Sequence, residues 1–167
     1  MKNSVRNNNR FSIYILVCSI SFMLSCNSFH ANNFKLQNSV EASNKKFTEY
    51  FNKGNTVNLA SMYTTNGQLL PTHSAKITGR DQIKIFWQKY IDEGTKIKLK
   101  TLEVEGVGNN AYEIGEYLLY EGEFKPKGDF TVKAWCKYIV IWRTEKGQLK
   151  QHRCIWNENQ TLSKRSD

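Results

Sequence analysis

Nothing in this 167-residue chain carries the spacing of a zinc site, a phosphate-cradling glycine loop or the Gly-x-Ser-x-Gly turn of a serine hydrolase. Metal, nucleotide and serine-hydrolase chemistry therefore have no foothold in it, and neither metal nor cofactor is expected. A membrane-spanning run is missing too. The apolar stretch from Phe11 to Leu24 is 14 residues long and diluted by Ser12, Ser19 and Ser21, against the roughly 20 residues a spanning helix needs. Absent as well is a concentrated basic stripe. The formal charge is +9, but residues 1–25 hold three of the 24 basic residues and none of the 15 acids, leaving +6 for the remainder. That excess is spread over Lys45, Lys46, Lys96, Lys98, Lys100, Lys125, Lys127, Lys164 and Arg165, which excludes the footprint of a nucleic-acid binder. No internal repeat and no second domain are visible.

What the N-terminus does contain is a basic head, Lys2, Arg6 and Arg10, followed by the apolar run and then Ser25-Cys26. This is the anatomy of an export signal. Met23-Leu24-Ser25-Cys26 resembles a bacterial lipobox, which implies removal of residues 1–25 and lipidation of Cys26. Acyl chains there would hold the domain at a membrane surface without spanning it, in the cell envelope on the periplasmic or cell-surface side. Ordinary signal cleavage, giving a soluble secreted protein, is the alternative. Residues 26–37, rich in Asn, read as a tether, and 159–167 as a polar tail.

Between these ends the pattern is helices first and strands afterward. Asn38, with Glu41 three residues on, predicts the cap of a first helix through Val40, Phe47, Tyr50 and Phe51, stopped by Gly54. A short second helix capped by Asn55 or Thr56 carries Leu59, Met62 and Tyr63. Gln68-Leu69-Leu70 reads as a brief strand ended by Pro71. Ile83, Phe86, Trp87, Tyr90 and Ile91 fall at i, i+3, i+4, i+7 and i+8, an amphipathic helix ended by Gly94. Alternation then predicts strands at 96–106, 111–123, 130–143 and 148–157. The layout is α+β.

Several of these pieces, in this order, are familiar: the Gly54-Asn55 break, Met62-Tyr63-Thr64, Gly79-Arg80 before Phe86-Trp87, Ala111 to Tyr117, Lys137-Tyr138 to Trp142, and Ile155-Trp156-Asn157. Together, over residues 38–158, they resemble the SnoaL-like branch of the nuclear transport factor 2-like (ketosteroid isomerase-like) superfamily. The resemblance implies a cone in which about three helices pack on a strongly curved antiparallel sheet, with a pocket inside and a homodimer formed through the outer sheet face. It also implies a choice among functions, because the hollow of such cones serves isomerases, dehydratases and cyclases as well as proteins without a known reaction. Where this branch often carries Asp before Ile-Trp-Asn, the chain has Cys154, which removes one acid a catalytic role would use.

The candidate catalytic groups are Glu113 as base, with Tyr63 or Tyr117 as hydrogen-bond donor to a developing oxyanion. Glu113 shares parity with Ala111, Gly115 and Tyr117, so it points into the cone if that small-residue face meets the helices; a position at the rim is the other reading. Trp87, Trp135 and Phe51, with His73 and His152, are candidate ligand contacts, the aromatics also being ordinary core residues. A three-residue Glu145-Lys146-Gly147 loop would place Cys136 and Cys154 on one face two residues out of register, leaving a disulfide and two free thiols equally open. The leading expectation is a lipid-anchored binding protein for a small, largely apolar molecule or a partner chain, without turnover. The alternatives are an isomerase, dehydratase or cyclase using Glu113, and a dimeric assembly module.

Overall fold

The computed structural model describes residues 33–122 and 130–159. The stretch read as an export signal, Cys26 and the 159–167 tail beyond its first residue lie outside them, as does most of the stretch read as a tether. Residues 33–37, assigned above to the tether, are already helical, so Asn38 sits inside the first helix instead of capping it.

The described residues form three helices and six strands. Helix α1 covers residues 33–52, α2 Thr56–Ser61 and α3 Arg80–Asp92. The strands are β1 Tyr63–Leu70, β2 Ile77–Thr78, β3 Lys96–Val107, β4 Asn110–Gly122, β5 Phe130–Glu145 and β6 Gln148–Glu158. They make one sheet in the order β2-β1-β6-β5-β4-β3. The meander β3 to β6 is antiparallel, as alternation predicts, but β1 lies parallel to β6, so the sheet is mixed. A parallel neighbour needs a crossover connection, and β1 reaches β6 only because the rest of the fold intervenes in sequence.

Local chemistry accounts for the boundaries. Gly54, at φ +72°, takes the left-handed conformation that ends α1, and the Asn55 side chain accepts from the Asn58 amide to start α2. On α1, Val40, Asn44, Phe47 and Phe51 form one buried stripe at helical spacing. Asn52 then docks the end of α1 onto the edge strand, donating to the Ile97 carbonyl at 3.0 Å and accepting from the Ile97 amide at 2.8 Å. On α3 the buried residues are Ile83 and Trp87.

Register shifts bend the sheet in β1 between Tyr63 and Gln68, in β3 near Thr101, in β5 near Ala134 and in β6 at His152. The β5–β6 turn is two residues long, with both Lys146 (φ 52°) and Gly147 (φ 75°) left-handed. That is the geometry favoured by tight hairpins, and Glu145 therefore pairs with Gln148. The expected three-residue loop is corrected, and with it the cysteine register. Cys136 lies opposite Glu158 and Cys154 opposite Val140, which separates them by four residues along the strands, about 13 Å. That exceeds disulfide reach, and both thiols are free and buried.

Candidate functional site

On the concave face, side chains from β3, β4, β5 and α1 converge on Glu113, which has no exposed surface. Its Oε1 accepts from Asn44 Nδ2 at 2.5 Å, Tyr138 Oη at 2.7 Å and Thr101 Oγ1 at 2.8 Å. Its Oε2 accepts from Trp142 Nε1 at 3.0 Å. Asn44 also donates to Thr101 Oγ1 at 2.9 Å. Burial raises the Glu113 pKa, while the hydrogen bonds from Tyr138, Thr101, Asn44 and Trp142 pull it back down. The net direction is upward. Tyr138, buried against this carboxyl, has its phenol pushed far above its ordinary range by desolvation and by the Glu113 charge.

The approach of Tyr138 depends on its cross-strand partner. Gly115 faces Tyr138 across β4 and β5, and a Cβ at Gly115 would lie 2.3 Å from both Cζ and the hydroxyl of that ring. Only a residue without a side chain lets the phenol lie across the strand and reach Glu113.

Glu113 thus points inward, on the face its parity with Ala111 and Tyr117 suggested, but its company differs from expectation. Neither Tyr63 nor Tyr117 hydrogen-bonds to it among the described residues; the phenol that does is Tyr138. Tyr63 is fully buried and accepts from Trp87 Nε1 at 3.1 Å. Tyr117 stacks on Tyr138 with ring centroids 6.1 Å apart, and burial, then the neighbouring Cys136, push its phenol pKa far up. Asn44, Thr101, Tyr138 and Trp142 were missed as partners of the acid. Asn44 was the detectable one, a polar residue at an apolar position of the α1 stripe.

The interior above this cluster is nearly solid. A void of only about 20 Å³ remains, bordered by Phe47, Tyr63, Trp87, Tyr117, Gln151 and Trp156 among others. That is room for a single water and not for a ligand. The expected hollow chamber is therefore filled by aromatic rings: Trp87 stacks on Trp156 at 5.8 Å, and Phe47 and Phe51 meet Trp87 edge-on at 5.9 and 5.7 Å.

Open space lies instead at the mouth of the cone. A cleft of about 280 Å³ is walled by Phe86 and Tyr90 of α3, Tyr117 and Leu119 of β4, Ala134 and Cys136 of β5, and Trp156 of β6. His73, at φ 57°, and Glu93, Lys133 and Glu158 stand on its rim. Tyr117 and Trp156 border both spaces and so form the partition between them. A second groove, of about 330 Å³, runs between α1 and β3 past Glu41, Lys45, Thr48 and Lys98, and Asn44, Leu99 and Thr101 line it as well, so it reaches two of the four donors to Glu113.

The remaining candidate ligand contacts separate. His73 lines the mouth, and Trp87 borders the small void. Phe51 is fully buried in the core and lines none of the three spaces described above, so it is a packing residue. Trp135 is 48% exposed on the convex face, because it has opposite parity to Cys136, Tyr138 and Trp142. His152 is the extra residue of the β6 bulge: Ile141 pairs with Arg153 and Trp142 with Gln151, leaving it unpaired. It is buried beside Thr64, with Nδ1 2.9 Å from the hydroxyl, and borders neither space. Burial, then Arg153 and Arg143, lower its pKa.

Among the described residues there is no group of three or more His, Cys, Asp or Glu able to hold a metal, and no helix long and apolar enough to cross a membrane. The convex face carries a row of exposed apolar side chains, Trp135, Ile139 and Ile141 on β5 and Ile155 on β6, with Ile139 directly opposite both Ile114 and Ile155.

A layer of helices on a bent mixed sheet of this order is the nuclear transport factor 2-like, cystatin-like fold. Solved structures agree, and the resemblance read from the sequence holds at the level of fold. A nuclear transport factor 2-like protein of Novosphingobium aromaticivorans superposes with a TM-score of 0.67 at 12% identity, over 84% of this chain and 90% of that one. A scytalone dehydratase-like protein of the same organism gives 0.66 at 16% identity, over 78% and 88%. A ketosteroid isomerase-like protein of Erwinia carotovora atroseptica gives 0.59 at 17% identity, over 74% and 95%. No protein-family model matches the sequence, and no curated protein matches it either.

Proposed function

We propose that this chain is a non-catalytic binding protein that takes a small, largely apolar molecule in the cleft at the mouth of its cone. The observation that carries this reading is the cleft itself, about 280 Å³ with a wall of Phe86, Tyr90, Tyr117 and Trp156 and polar side chains from His73, Ser74, Glu93, Lys133 and Glu158 around it, close to the lower bound of ordinary small-molecule sites. The isomerase or dehydratase alternative is weaker on geometry. A general base needs a free lone pair within reach of substrate, whereas Glu113 Oε1 already accepts three hydrogen bonds, Oε2 accepts one from the buried Trp142, and the void beside the cluster holds one water. The Glu113 cluster is instead a buried polar clamp joining α1, β3, β4 and β5.

Titration with 1-naphthol, followed through tryptophan indole resonances, tests the reading. Shifts at Trp156, weakened by Tyr90→Ala, are expected. Shifts confined to Trp135, or none, would overturn it.

The export signal supports placing this domain at the cell envelope on a lipid attached to Cys26, as part of the same proposal. Radioactive fatty acid should label the wild-type protein in cells and not Cys26→Ala; label surviving that change would remove the anchor.

A second reading is favoured by the convex face. Trp135, Ile139, Ile141 and Ile155 form an apolar surface of the kind that marks a protein interface, and self-association through it gives a homodimer. Sedimentation of the wild type against Ile139→Lys decides the matter, with a monomer in both arguing against assembly.

A further inference from the structure

The rim of the mouth cleft is acidic on a protein that is basic as a whole. Of its charged side chains, Lys133 is engaged, with Nζ 2.5 Å from Glu121 Oε1 and 3.3 Å from Thr95 Oγ1. Glu93, just beyond α3, and Glu158, at the end of β6, have no ion-pair partner among the described residues. Both carboxylates act on the same ring, since each adds to the upward shift that burial gives the Tyr90 phenol. Below them four aromatic side chains are linked in a chain: Tyr90 to Phe86 at 5.3 Å, Phe86 to Trp156 at 5.9 Å and Trp156 to Tyr117 at 6.4 Å.

We infer that the cleft recognises an organic cation, a flat apolar body bearing an ammonium or other cationic head, with the body on the Phe86, Tyr117 and Trp156 wall and the head beside Tyr90 between Glu93 and Glu158. This deepens the proposed function and rests on the mouth cleft being the binding site. The physical reason is additive. An aromatic face attracts a cation through its quadrupole, and two carboxylates without an ion-pair partner among the described residues lower the potential at the same place. An anionic ligand of the same shape meets both carboxylates without compensation, because the nearby ammonium already serves Glu121. Net charge works the other way. The molecule's overall positive charge repels cations at long range, so discrimination in favour of a cation has to come from these two side chains.

The test uses three probes of similar aromatic body and different charge: benzyltrimethylammonium, benzyl alcohol and phenylmethanesulfonate. Each is titrated into the wild type and into the double variant Glu93→Gln/Glu158→Gln, and binding is followed at the Trp156 indole resonance. Both positions are exposed, and circular dichroism verifies that the double variant keeps its fold. Benzyltrimethylammonium should bind the wild type most tightly and lose roughly fivefold to tenfold in the double variant, with benzyl alcohol unchanged and the preference shrinking as salt rises. Equal binding of the neutral probe, or a cation affinity untouched by the double variant, overturns the charge inference and leaves the cleft reading standing. No response at Trp156 to any probe removes the cleft reading as well.

Discussion

The base and the mouth of this cone are built from the same sheet and are similarly rich in aromatic residues, yet they are in opposite states. At the base, Glu113 meets four donors from two strands and a helix, and the rings above it close the space to about 20 Å³. At the mouth, rings of comparable size stand around about 280 Å³, and two carboxylates on the rim have no ion-pair partner among the described residues. A buried acid is thus a poor guide to chemistry when it has no exposed surface and four donors of the protein already hold it. Polar groups left over, beside open volume, are the better guide to a ligand.

Four substitutions break or sharpen this contrast. The largest effect should come from Trp142→Ala at the base, which removes a fully buried ring and the single donor to Glu113 Oε2. Chemical denaturation should show a loss of about 3–5 kcal/mol or more. Next, Gly115→Ala forces a Cβ into the space of the Tyr138 ring and displaces its hydroxyl from Glu113, at about 3 kcal/mol, read in the same way. A small effect of either change would mean that the base is looser than its hydrogen bonds suggest.

Glu113→Gln resembles the protonated acid, but its amide carries two N–H groups where the acid carries one O–H, and it must turn them toward either the Trp142 Nε1–H or the Asn44 Nδ2 donor. At acid pH it should cost about 2 kcal/mol. The pH dependence has a definite sign. Because burial lifts the folded-state pKa above the ordinary value of 4.5, the unfolded chain releases this proton first. The stabilisation specific to protonated Glu113 is complete below 4.5 and is lost as pH rises through the folded value. Urea melts of wild type and variant, from about pH 4 to about pH 7, should show their difference narrowing upward. A difference that widens with pH would show that the four donors outweigh burial. Smallest in stability is Tyr90→Ala at the mouth, at about 1 kcal/mol for a half-buried ring. It should nevertheless weaken 1-naphthol binding several-fold, and unchanged binding would detach Tyr90 from the site.

Much of this architecture was legible from residue spacing. Ile83 to Ile91 gave α3, and the alternating strands were placed to within a few residues, because one buried face imposes a strict period on each element. Parity also carried the inward direction of Glu113, and it could have excluded Trp135, which alternates with Cys136 and Tyr138. The β6 bulge was not legible. Gln151 and His152 are both buried, and an extra residue in a strand leaves no mark on composition. Nor was the filled interior, since periodicity shows which way a ring points and not how far it reaches across to α1 and α3. The cysteine register failed for a related reason: one residue fewer in the turn and the extra residue of the β6 bulge each move the cross-strand pairs by one step.

The partition made by Tyr117 and Trp156 has a consequence for engineering. These two side chains line both the water-sized void and the open cleft, and Tyr117 has its hydroxyl beside the Cys136 thiol instead of in the Glu113 cluster. Cutting it back to alanine would join the two spaces into one deep recess reaching toward Tyr63 and Trp87. The natural protein would then serve as a ready-made host whose depth is chosen at a single codon.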